Sequence, residues 1–143
     1  QFKVIVSFDG SAIPDGATII SSTLKLKRGG LVGTNPFTTH GTCFADIKTG
    51  AFGANAVENG DFQAAATAAQ VASMSNAAAN GDLSTGALNA AGLAAVNKVG
   101  LTQMRVYFSV DDNNDNGDDF VGFYSGDNGT AANRPVLEVM YIP

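Results

Sequence analysis

Three stretches of this chain alternate apolar and polar residues with a period of two, and that period commits them to strands. Phe2, Val4, Val6 and Phe8 share one face, with Lys3 and Ser7 on the other. Thr18 to Arg28 is rich in β-branched residues and sets Ile20, Leu24 and Leu26 against Thr23, Lys25 and Lys27. Thr102 to Val110 sets Met104, Val106, Phe108 and Val110 against Gln103, Arg105, Tyr107 and Ser109. Successive strand residues point to opposite faces of a sheet, so this alternation describes strands with one buried side.

Shorter strands are expected from Thr42 to Lys48, Val71 to Met74, Phe120 to Ser125 and Pro135 to Ile142. Asp9-Gly10-Ser11, Pro14-Asp15-Gly16 and the Gly-Asp-Asn-Gly run at 126 to 129 punctuate them as turns. Residues 29 to 39 read as a long loop. Asp61 is positioned to cap a short helix over 61 to 66, and a helix of one to three turns fits near the end of 83 to 96. The last strand is expected to pair near the first. A length of 143 residues suits one domain with a substantial core, and 17 glycines suit short strands joined by many turns. The expected fold is a single all-β domain over 1–143. Its form is a jelly-roll or Greek-key β-sandwich with one or two short helices in long loops.

Charge narrows the partners. The formal net charge of −5 repels phosphate backbones, which argues against nucleic acid. Lys25, Lys27 and Arg28 form the one close basic group and read as a strand edge. There is no apolar run of membrane-spanning length, so membrane insertion is not expected. The chain opens directly on a strand pattern without Met, which suggests a piece of a larger or processed secreted protein. Cys43 is the only cysteine and alternates with Ala45 and Ile47, the setting of a small buried core residue and not of a reactive thiol.

Chemistry-bearing residues are few. One histidine and two glutamates leave little from which to build an active site, and no Walker, Rossmann, HExxH or GxSxG pattern is present. The chain is therefore read as non-catalytic. Between Asp111 and Asp119, five carboxylates fall within nine residues. They must be solvated, spread apart or bridged by a cation. Asp112, Asn114, Asn116 and Asp118 are the candidate ligands of a structural Ca2+, with Gly117 allowing the sharp turn. Phe123 stands where a full EF-hand loop would carry its bidentate Glu. The alternative is an exposed hairpin loop turned by Asn116-Gly117.

For a glycan, Tyr107 offers a flat ring on the polar face of its strand beside Arg105. These two are the candidate carbohydrate-binding residues, expected on an exposed sheet face. Tyr124 and Tyr141 read as core or inter-sheet residues. Asp9 is expected to tie a turn at Ser11, Arg134 to pair with a carboxylate such as Asp9 or Asp127, and His40 to cap or decorate a loop. A Lys–Asn isopeptide crosslink would require Lys3 or Lys25 beside Asn133 and an acid.

Both ends of the chain carry a recognisable pattern. Val4-Ile5-Val6-Ser7-Phe8-Asp9 is followed by Ile13-Pro14-Asp15-Gly16-Ala17-Thr18-Ile19, then by Ser21-Ser22-Thr23-Leu24-Lys25-Leu26. The ending runs from Phe123-Tyr124-Ser125-Gly126 to Asn133-Arg134-Pro135-Val136-Leu137-Glu138-Val139-Met140-Tyr141. Together these segments resemble DNRLRE-type domains, related to the carbohydrate-binding-module-like domain of archaeal disaggregatases. The resemblance implies a jelly-roll sandwich appended to secreted enzymes and surface proteins, often glycan-binding. The strand region that the family carries upstream of its "F-D" strand is absent here, and so is Trp.

Two functions follow as expectations. One is an extracellular or cell-surface binding or adhesive module whose partner is a polysaccharide. The other is a structural subunit of a surface fibre or sheath, in which a neighbouring subunit supplies a missing strand.

Overall fold

The alternating stretches become strands in a computed structural model that describes residues 1–143. In chain order the elements are β1 (Val4–Asp9), β2 (Thr18–Val32), α1 (Pro36–Thr39), β3 (Cys43–Thr49), β4 (Ala68–Ser73) and β5 (Leu83–Ala87). They continue with α2 (Ala90–Ala95), β6 (Leu101–Phe108), β7 (Phe120–Phe123) and β8 (Val136–Ile142). Single 3-10 turns occupy Asn59–Phe62 and Ala131–Asn133.

The strands form an all-β sandwich of two antiparallel sheets. The first has the order β1-β6-β3-β4; in the second, β5, β7 and β8 all pair with the long strand β2. β5 and β8 overlap along Thr23 to Lys25, so they occupy opposite edges of β2. β7 also lies opposite β5 and continues the β8 side from Arg28 to Val32. The last strand thus joins β2, with Thr18 opposite Ile142, and not the first strand as expected. Long-range pairing of this kind leaves no local trace in sequence.

Between the sheets lie Leu24 and Leu26 of β2, Cys43, Ala45 and Ile47 of β3, and Met104 and Val106 of β6. Val71, Ala72 and Met74, with Leu88, Ala95 and Val96 in and around α2, complete the cluster. Full burial of each Leu or Ile contributes about 1.5–3 kcal/mol. Cys43 is buried as its alternation indicates, and desolvation pushes its thiol from 9.0 up to about 12. The folded chain keeps this thiol neutral while the unfolded chain ionises it, so stability should fall as pH rises from about 9 towards 12. Cys43→Ala should remove that component, about 1.4 kcal/mol per pH unit. Urea titrations of both proteins at pH 8 and pH 10.5 measure it.

Where the alternation breaks, the outcome departs from expectation. β2 runs on through Gly29 and Gly30 to Val32, because β7 supplies partners across a register shift at Arg28/Gly30. A side chain at Gly29 would meet the Tyr124 ring at 3.4 Å. Asp61 does not open a helix. It is the third residue of a 3-10 turn capped at Glu58, and its carboxylate accepts from the Glu58 amide at 2.9 Å. The 83–96 stretch opens unexpectedly as strand β5, while the helix expected near its end is α2, which Asn89 caps by accepting from Gly92 N at 3.0 Å. Arg28, expected at an exposed edge, is buried; it donates to Asn80 Oδ1 and to the Ala77 carbonyl, both at 2.9 Å, and so anchors the 77–80 loop.

Candidate functional site

The face that carries Arg105 and Tyr107 is the outer face of the first sheet, and the segment after β3 covers it. Phe52, fully buried, lies under the Arg105 guanidinium at 4.5 Å from ring centroid to Cζ. Arg105 Nη2 donates to Asp46 Oδ2 at 2.7 Å, and Nη1 donates to the carbonyls of Asp61 (3.1 Å) and Ala64 (2.7 Å). Gln103 accepts from Phe52 N at 2.7 Å and donates to Ser7 Oγ at 3.0 Å. Arg105 is 8% exposed and Asp46 2%.

Arg105 is therefore not available on an exposed sheet face, contrary to expectation. Strand periodicity places a side chain on a face correctly but cannot say that residues 50 to 67 will lie over it.

Tyr107 is half-buried at the rim of the same cluster. Its hydroxyl donates to Asp46 Oδ1 at 3.1 Å, and the Lys3 ammonium lies 5.4 Å from its ring centroid. Desolvation, reinforced by the Asp46 charge, raises the phenol above its ordinary pKa. The ring and hydroxyl expected to meet a sugar are engaged within the protein.

The acidic loop does not gather the residues named for calcium. Asp112 accepts from the Asn114 amide at 2.9 Å, while Asn114 and Asn116 take left-handed φ of 60° and 61°. The side chains that meet are Asn113, Asp115 and Asp119, the odd-numbered set. Asn113 Nδ2 donates to Asp115 Oδ2 (3.0 Å) and to Asp119 Oδ2 (2.8 Å), and Asp119 Oδ1 accepts from Thr34 N at 2.6 Å. The Gly117 amide, donating to Asp115, holds that carboxyl below its usual pKa. No group of three or more His, Cys, Asp or Glu side chains is arranged to hold a metal ion. Of Asp112, Asn114, Asn116 and Asp118, the residues expected to hold Ca2+, only Asp112 and Asn114 are joined by a hydrogen bond.

Other sequence candidates have structural partners. Asp9 accepts from Ser11 N at 2.9 Å, the turn expected of it, and that bond lowers its pKa. Arg134 Nε donates to the Asn128 carbonyl at 2.8 Å and has no ion pair with Asp9 or Asp127. His40 is the C-cap residue of α1, buried, with Nδ1 2.8 Å from Thr39 Oγ1. Lys25 pairs with Glu138 at 2.7 Å and Lys3 donates to the Phe62 carbonyl; the lysine at Asn133 is Lys27, at 3.2 Å. No helix is long and apolar enough to cross a membrane.

The feature that sequence reasoning located least well is a flank. One side of the sandwich is stitched shut between β4 and β5: Ser75 N donates to the Thr85 carbonyl (2.8 Å), and Ser84 Oγ donates to the Ser75 carbonyl (2.6 Å). On the other side β1 faces β7 and β8 with no ladder between them. Phe2 reaches across to Phe120, ring centroids 5.5 Å apart. A cavity of about 310 Å3 lies there, lined by Val4, Val106, Phe108, Phe120 and Phe123 among others. Further along, about 230 Å3 opens between Phe8 and Ile13 on one side and Leu137, Val139 and Tyr141 on the other. The inward-facing Val4, Val6, Phe8 and Leu137 are only partly buried. The chain matches no family model, no curated protein and no solved structure.

Proposed function

We propose that this chain is a non-catalytic, extracellular structural or adhesive module that joins to neighbouring copies by strand addition along its open flank. The observation that carries the reading is the asymmetry of the sandwich. Hydrogen bonds around Ser75 close the β4–β5 flank, whereas the β1 and β7/β8 flank leaves strand edges unpaired over core residues that are only partly buried. Unpaired edges present N–H and C=O groups ready for another strand, and main-chain bonds of that kind give affinity without a specific pocket.

The polysaccharide reading has weaker support. It was built on Arg105 and Tyr107, and their side chains are held by Asp46, Phe52 and Lys3.

Electron microscopy and hydrogen exchange on protein from its native source test the proposal. Assemblies larger than the 14.6 kDa chain are expected, with amides of β1, β7 or β8 protected relative to the isolated chain. A native monomer whose flank amides exchange freely would sink it.

A further inference from the structure

β8 is the most exposed strand of the open flank, and its edge has an unusual composition. Val136, Met140 and Ile142 project outward at 47%, 63% and 60% exposure. Long exposed edges in soluble proteins are usually interrupted by Lys, Pro or a bulge. Within the seven residues of β8 there is no Lys and no Pro, and its one charge, Glu138, is already paired with Lys25.

The direction of the free backbone groups follows from β2. Ser22 and Arg28 of β2 bond towards the β5 side, through Leu88 N, Gly81 N and the Asp82 carbonyl. Alternate residues of a strand bond to opposite sides, so Thr23 and Lys25 bond towards β8, where Glu138 and Val136 face them. The N–H and C=O groups of Leu137, Val139 and Tyr141 therefore point away from β2. None of the backbone bonds outside the ladders uses them.

We infer that β8 pairs antiparallel with β8 of a second copy about a two-fold axis at Val139. This inference rests on the strand-addition reading and names the edge and the partner. In this register Val139 faces Val139 of the other copy and Leu137 faces Tyr141, so all three outward-pointing residues find partners. Pairs of this geometry exchange two hydrogen bonds each. Val136 then stands opposite Ile142, an apolar cross-strand pair, and Glu138 stands opposite Met140.

Two neighbouring two-fold registers are poorer. An axis at Glu138 sets two glutamates face to face, which is destabilising. An axis at Leu137 sets Val139 opposite Pro135, which has no N–H to give.

Charge allows the approach. The chain carries −5 overall, yet this edge offers Lys25 and Lys27 near its one carboxylate, Glu138. Two acidic molecules repel least where each is locally neutral or positive. The contact is isologous, so it closes at two copies and leaves the β1 edge for other contacts.

The test is sedimentation equilibrium on the purified chain over a wide concentration range, with hydrogen exchange read at the same concentrations. A reversible dimer of twice 14.6 kDa is expected, with amide protection at Leu137, Val139 and Tyr141 rising with its population. Met140→Glu places a carboxylate opposite Glu138 twice per dimer and should weaken association about two- to thirtyfold. Met140→Lys pairs with the same Glu138 and should leave the dimer intact or tighten it. Met140 is exposed, so both variants should keep the fold, which circular dichroism confirms.

A chain that stays monomeric at every concentration overturns the inference; so does a dimer indifferent to Met140→Glu, or one protected at β1 instead. In each of these cases assembled native material would still uphold the strand-addition reading, and only unassembled native material would remove both.

Discussion

Asp46→Ala is expected to cost the fold about 3–5 kcal/mol, the penalty for leaving a buried charge without its partner. Asp46 carries three separate loads. It receives Arg105 Nη2 at 2.7 Å, the Tyr107 hydroxyl at 3.1 Å and the Gln70 amide at 2.9 Å. The last of these has a backbone consequence. Gln70 holds φ at +51°, a left-handed conformation uncommon for a residue with a Cβ, beside the register shift between β3 and β4. Losing Asp46 removes the acceptor that holds this bulge in place.

The Asp61 and Ala64 carbonyls would remain around Arg105, but neither carries a charge. A domain of this size has about 5–15 kcal/mol in total, so the variant should unfold at markedly lower urea. Arg105→Met combined with Asp46→Leu should recover the part of the loss that belongs to the ion pair, because it leaves no buried charge unpaired, although the Gln70 amide and the Tyr107 hydroxyl still lose their acceptor. A double variant no more stable than Asp46→Ala would show that the cost lies in the bulge and not in the ion pair.

Phe52→Ala is the second large effect, expected at about 3–5 kcal/mol from lost burial and the cavity left behind. Phe52 lies outside the inter-sheet core. It belongs to the segment 50 to 67 that covers the opposite face of the first sheet, and there it is fully buried with its ring against the Arg105 guanidinium. Its removal should therefore loosen the covering segment before the sandwich itself. Exchange of the Ala54 and Glu58 amides, both bonded to Asp61, should quicken more than exchange in β6. Because Phe52 and Asp46 hold the same guanidinium, their effects should not add, and a double-variant cycle should give a coupling of about 0.5–3 kcal/mol. Additive losses would mean that the ring only fills space.

These two residues also mark how far the sequence could be read. Phe52 sits in a Gly- and Ala-rich stretch with no period, so nothing local distinguishes it from an exposed loop residue. Asp46 lies on the polar side of an alternating strand, where solvent is the ordinary expectation. The two faces of β6, by contrast, were legible between Gln103 and Val106. Met104 and Val106 are in the core and Gln103 and Arg105 on the other side, as a period of two requires. Periodicity separates two faces of a strand; it does not say which faces another chain segment will cover. The hydrogen bonds of the acidic loop were illegible for a related reason. Alternate spacing named Asp112, Asn114, Asn116 and Asp118, but the left-handed residues Asn114 and Asn116 turn the chain so that Asn113, Asp115 and Asp119 converge.

Alternation, turn residues and length were enough to specify an all-β sandwich, because the side-chain period and the glycine and proline punctuation act within a few residues. Which strand joins which edge was decided only in three dimensions. β2 is long enough to take β5 on one side and β8 and β7 in turn on the other, and this leaves β1 facing them unpaired. The closed flank at Ser75, the open flank opposite it and the outward-pointing amides of β8 all follow from that pairing. Hydrogen bonds between strands more than a hundred residues apart depend on register, and register is a property of the assembled sheet.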